Sequence, residues 1–129
     1  MTAIVAVHGN GGGSTRFGPM LSHVPDGIEF HAVDLPGFNG VPADSALRSV
    51  AHYADHLAAL FDVVGASRPI VLGHGIGGSI ALDLASRRPE TMSGLVLHAP
   101  VGADLDTRLF PKLMSPTPVR GLIRRAIAA

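Results

Sequence analysis

Apolar positions follow two rhythms along the chain. Four short, nearly unbroken runs stand apart from one another: AIVAV at 3–7, EFHAV at 29–33, PIVL at 69–72 and GLVLH at 94–98. Each is bounded by Gly, Pro or Asp, and runs of this length and composition predict strands covered on both faces, as in a parallel sheet. Between them the spacing changes. Leu47, Val50, Ala51, Ala54, Leu57, Ala58, Leu60 and Phe61 recur at helical intervals, which predicts a helix over 45–64. A second helix, 76–88, stops before Pro89. A shorter one is expected over 14–23, with Ser14 as its cap, before Pro25, Asp26 and Gly27 turn the chain. Strand and helix therefore alternate as β-α-β-α-β-α-β. That order implies right-handed crossovers and an α/β fold, a three-layer α-β-α sandwich with a mainly parallel sheet of about four strands.

In such sheets ligands sit beyond the carboxyl ends of the strands. Here those ends carry His8, Asp34, His74 and His98, four titratable groups expected along one rim. After Pro100 the pattern changes again. Residues 101–129 hold no strand-like run; Thr117 and Pro118 suit a helix start, and Val119, Leu122, Ile123, Ala126 and Ile127 form an apolar stripe. The chain thus divides at residue 100 into a core unit and a helical segment.

Composition narrows the function classes. A chain of 129 residues, 47% apolar and 16% charged, is a single globular domain with a sizeable core. Ten acidic and ten basic side chains balance, so no nucleic acid or other polyanion is expected as partner. The absence of cysteine excludes disulfides and thiolate metal sites. No apolar run reaches membrane-spanning length and no signal peptide is evident, so a cytoplasmic protein with no membrane partner is expected.

Three glycine-rich motifs occur in a fixed order: HGNGGGSTRF at 8–17, DLPGFNG at 34–40 and GHGIGG at 73–78. With RRPETMSGLVLHAP they resemble the first half of an α/β-hydrolase of the esterase, C–C hydrolase and haloperoxidase-like group, over about residues 3–100. The resemblance implies the spatial strand order second, first, third, fourth. It makes 101–129 the start of a lid-like helical segment, and it implies hydrolysis of an ester, lactone or C–C bond through an acyl-enzyme. A small carbonyl-containing molecule is then the expected ligand, and no cofactor or metal is implied. The turn after His8 and Gly9 would present the Asn10 N–H, and the turn at 73–77 the Ile76 N–H at a helix N-terminus. Two such donors form an oxyanion hole. Asn39 stands where the family often has Gly, an exchange that a left-handed backbone tolerates in Asn.

The departures from the pattern bear on activity. The nucleophile position falls on Gly75. The family's general-base His would lie beyond residue 129, and Asp104, with Asp106 beside it, falls near an alternative position for the acid. The expectation is a chain inactive alone: a split or truncated hydrolase awaiting a complementing C-terminal half, or a pseudoenzyme that binds without turnover. Either way, an uncovered strand edge at 94–98 favours a homodimer. A competing reading takes Gly73-x-Gly75-x-x-Gly78 as a dinucleotide-binding pattern, but the acid that should end the next strand is replaced by His98. The plainer readings of the other polar residues are structural. His8 fixes its loop, His74 serves loop geometry, Asp34 bonds loop N–H groups and Ser79 packs or back-bonds rather than attacking. His52 and His56, at i, i+4, have no third ligand to complete a metal site.

Overall fold

A computed structural model describes residues 1–101 of the chain. Four strands form one sheet: β1 Thr2–Val7, β2 Ile28–Val33, β3 Ile70–His74 and β4 Gly94–His98. Their spatial order is β2-β1-β3-β4, with every pair parallel, as the sequence led us to expect. The register sets Val7 beside Val33 and Gly73, and His74 beside His98. The described helices are α1 Gly18–Leu21, α2 Val50–Val63 and α3 Ile76–Arg87. None is long and apolar enough to cross a membrane.

Strand alternation divides the helices between the two faces. Val5, Val7, Val33 and Val71 pack with Ala54, Leu57 and Phe61 of α2 and with Ile80, Ala81 and Leu84 of α3. Ile4, Ile28 and Phe30 share a groove with Pro19 and Met20 of α1, so α1 flanks the opposite face. Phe17 rests on Phe30 there, ring centroids 6.2 Å apart. Helical segments thus flank both faces of the sheet, while Val96 and Leu97 of β4 remain exposed among the described residues.

Two helix starts differ from the sequence expectation. α2 begins at Val50 rather than 45, because the Ser49 hydroxyl accepts the His52 N–H at 3.1 Å and caps it there. The turn Asp44–Leu47 before it is held by Asp44, whose carboxylate accepts the Ala46 N–H. The expected helix over 14–23 is a 3₁₀ turn, Ser14–Phe17, followed by the single turn α1. Ser14 is not its cap: Gly13 holds that position, and the Ser14 hydroxyl is drawn away to Asp34.

Candidate functional site

β3 passes into α3 through one residue, Gly75, at φ 57° and ψ −125°. L-residues rarely adopt this conformation, and glycine takes it without a Cβ penalty. The turn is closed on all sides. Gly75 donates its N–H to the His98 carbonyl at 3.1 Å, and its own carbonyl accepts from Gly78 at 3.0 Å and from Ser79 and Val101 at 3.3 Å. Ile76, as the first residue of α3, has no intrahelical partner for its N–H, which points off the helix N-terminus.

Close approach of backbone to backbone demands the glycines around it. A Cβ at Gly73 would stand 2.6 Å from the Gly78 Cα, and one at Gly77 2.5 Å from the carbonyl oxygens of both Val7 and His8. The Gly73–Gly78 set therefore serves to seat α3 on the strand ends. A Cβ at Gly75 would lie 3.3 Å from the Gly9 Cα, so the loop after β1 adjoins the β3–α3 turn directly.

That loop is a tight turn. Gly12 donates to the Gly9 carbonyl at 3.2 Å, with Gly11 at φ 74° in the third position, so Asn10 occupies the second, where its N–H is not used by the turn. Asn10 is exposed and Ile76 half-buried. His8 anchors the loop from below. It is fully buried; its Nδ1 bonds the Gly9 carbonyl at 2.9 Å and its Nε2 accepts the Leu35 N–H at 3.1 Å. Those two bonds define a neutral imidazole protonated on Nδ1. Of the four groups expected along the rim, His8 is therefore turned inward. It has a structural part in joining the loops after β1 and β2.

Asp34 makes a second tie between the same loops. Its carboxylate accepts the Ser14 N–H at 2.7 Å, the Ser14 hydroxyl at 2.8 Å and the Asn39 amide at 3.1 Å. Burial works to raise its pKa, but the bonds from Ser14 and Asn39 prevail and hold the carboxyl below its ordinary value. Asn39 sits at φ 47°, the left-handed conformation the sequence suggested. The Ser79 hydroxyl is given to the Val101 carbonyl, and His52 Nδ1 accepts the Arg48 N–H. His74 and His98 stack, centroids 4.9 Å apart. Burial first, then the His98 and Arg16 charges, hold the His74 pKa below its ordinary value. Asp104 and Asp106, the candidate acids, and the apolar stripe from Val119 lie outside the described residues.

Sequence reasoning did not anticipate an apolar cavity of about 260 Å³ between the 34–40 loop and α3, lined by Leu35, Phe38, Leu47, Tyr53, Ile76 and Ile80. Its one signal is the Ile76 and Ile80 spacing on α3.

Both pKa shifts have the same sign for stability. The unfolded chain binds each proton more tightly than the folded one, so stability rises with pH where they titrate. The His74 contribution is complete above pH 6.5 and is lost as pH falls through the depressed folded value. The Asp34 contribution is complete above 3.8 and is lost below it in the same way. Urea unfolding at about pH 5 should therefore give a lower free energy than at about pH 7.5, and His74→Leu should reduce that difference. Stability that rises towards pH 5 would contradict the assignment.

Comparison with known proteins gives these features a family. Lipase LipV of Mycobacterium tuberculosis is 32% identical over 100 residues, which cover 78% of this chain and 38% of LipV. A Ser-to-Gly mutant of the N-acyl homoserine lactonase AidH, complexed with N-hexanoyl homoserine lactone, superposes with a TM-score of 0.64. It is 30% identical and covers 77% of this chain and 38% of its own. An esterase from Thermogutta terrifontis shares the fold at a TM-score of 0.76 and 20% identity, over 88% of this chain and 42% of its own. The chain spans about a third of the length of the curated relatives it matches. The sequence profile of the alpha/beta hydrolase family matches residues 4–129. The parallel β2-β1-β3-β4 sheet and the β3–α3 turn at its carboxyl edge are thus those of a chain that belongs to the alpha/beta hydrolase family.

Proposed function

We propose that the β3–α3 turn binds a small carbonyl compound, an ester or lactone, and that residue 75 forms no acyl-enzyme with it. The carbonyl oxygen lies between the N–H groups of Asn10 and Ile76, which act as an oxyanion hole. The helix N-terminus of α3 adds its partial positive charge. One observation carries the reading: the position that points into this site is Gly75, with a backbone at φ 57° and ψ −125° and no side chain to attack with. Loss of a hydroxyl nucleophile costs on the order of 10⁶ in turnover, while donors and binding surface retain roughly 10³–10⁴ over water. The site is a pseudoenzyme-like binding site. The AidH mutant supports this reading, since that protein, with glycine in place of a serine, is complexed with a lactone.

Intact-mass measurement after incubation with an activated ester tests it. The chain should gain no acyl mass, while amide signals of Asn10 and Ile76 should shift on adding a lactone or a boronate. Gly75→Ser should restore little turnover. Its Cβ meets the Gly9 Cα at 3.3 Å in a conformation that costs an L-residue about 1–3 kcal/mol. His8 has both ring nitrogens engaged and is not placed to activate the new hydroxyl. Stoichiometric acylation of the unmodified chain, or enzyme-like turnover from Gly75→Ser alone, would sink the proposal.

A further inference from the structure

The apolar cavity of about 260 Å³ adjoins both turns that supply the donors of the proposed site. Ile76 belongs to both: its N–H leaves the N-terminus of α3, and its side chain forms part of the cavity wall. Phe38, also in the wall, packs against the His8 ring with centroids 4.9 Å apart, and His8 in turn holds the Gly9 carbonyl at the base of the Asn10 turn. Arg48, Ser49 and Val50 are exposed and line the cavity, so it opens to solvent there. The polar groups of its lining are already engaged. The Tyr53 hydroxyl donates to the Pro36 carbonyl at 3.1 Å, the Ser49 hydroxyl accepts the His52 N–H at 3.1 Å, and Arg48 Nε donates to the Ser45 carbonyl at 3.0 Å. What remains to face the space is hydrocarbon, from Leu35, Phe38, Leu47, Ile76 and Ile80. Water there finds few partners, and an apolar group replaces it favourably.

We propose, resting on the carbonyl-binding reading above, that this cavity receives the hydrocarbon chain of the acyl group whose carbonyl lies between Asn10 and Ile76. The site then selects medium-chain esters by the length of that chain. A chain leaving the carbonyl carbon passes along Ile76 and reaches Leu35, Leu47 and Ile80. Volume sets the length. A cavity of about 150 Å³ with aliphatic and aromatic walls takes the six carbons of benzene, so one of about 260 Å³ takes roughly ten. Each methylene that leaves water tightens binding about fourfold. Leu47, in the turn before α2, and Val50, the first residue of α2, line the cavity without belonging to the buried core. These two residues therefore set its size at least cost to the fold.

The test is an NMR titration of the full chain with straight-chain methyl esters, from methyl acetate to methyl dodecanoate. Carbonyl binding is read at the Asn10 and Ile76 amides, and chain binding at the methyl groups of Leu35, Leu47 and Ile80. Methyl acetate should move the amides and leave the methyl groups still, whereas methyl octanoate should move both along one saturation curve. Affinity should rise about fourfold per methylene and level off at about ten carbons. Leu47→Phe should bring the plateau down by about two carbons and weaken methyl decanoate about tenfold or more. Val50→Phe, at a partly exposed position, gives the same reading should Leu47→Phe fail to fold. Amide shifts with an affinity flat across the series would overturn the acyl pocket and leave carbonyl binding standing. Methyl shifts with a silent Asn10 amide would instead overturn the carbonyl reading, and the acyl pocket with it. An affinity still rising past methyl decanoate, or a plateau that neither variant moves, would put the chain outside this cavity and overturn the proposal.

Discussion

Gly77→Ala is expected to destabilise the chain by about 3 kcal/mol or more, although it deletes nothing and adds one methyl group to a helix. In an open helix the same change would help by nearly 1 kcal/mol. Here the new Cβ would sit 2.5 Å from the carbonyl oxygens of Val7 and His8, which belong to the end of β1 and to the buried residue after it. A side chain could swing aside, but these are backbone atoms fixed by the sheet. α3 would have to lift off β1, and the Gly9–Asn10 turn would separate from Ile76. Gly18→Ala is the matched control, because a Cβ there meets nothing within 4 Å. Urea denaturation of the two variants decides the matter. A loss under about 1 kcal/mol for Gly77→Ala would show that α3 is not seated against β1 as described.

His8→Leu is the second large effect, at about 2–3 kcal/mol. Leucine fills much of the ring's space, so the loss is chiefly polar. The Gly9 carbonyl keeps the Gly12 N–H as a partner, whereas the Leu35 N–H loses its acceptor, in a residue that is fully buried. A stranded buried donor costs its full desolvation. The contact of the His8 ring with Phe38, centroids 4.9 Å apart, goes with it. Faster hydrogen exchange at the Leu35 amide would mark the site of the damage. Unchanged stability, or a Leu35 amide still protected, would mean that the two loops are held together by other means.

The strands were legible in the sequence as short apolar runs bounded by turn residues. All four strands lie within two residues of the positions that 3–7, 29–33, 69–72 and 94–98 indicate. The β3–α3 turn was legible as well, from a strand run, a Gly-rich stretch at 73–78 and a helical pattern following one another directly. Where side chains outbid local pattern, the reading was less complete. Leu47 has helical spacing relative to Val50 and Ala54, yet it lines a cavity, because the Ser49 cap sets the start of α2. Ser14 has the chemistry of a cap but bonds a carboxylate twenty positions away. His8 was expected on the rim with Asp34, His74 and His98, since all four close a strand; its burial depends on the Leu35 N–H, a partner 27 positions away. The His74–His98 stack needs the register of β3 against β4, and Arg16 joins it only through the 3₁₀ turn.

The position of β1 in the sheet also dictates how this protein is made. Of the four described strands β1 is synthesised before the others, yet it lies in the interior of the sheet, between β2 and β3. Its partner β2 arrives early, but Ile4 must wait for Ile70 before its other edge is paired. No strand here is joined to a neighbour by a hairpin, since every pairing is parallel. All sheet contacts are therefore distant in sequence, a topology associated with slow folding. Until β3 emerges, the Val5–Val7 segment, fully buried in the folded sheet, keeps one apolar edge open. The nascent chain is most exposed to misassociation just before β3 emerges, and rapid translation through residues 34–69 would shorten that interval.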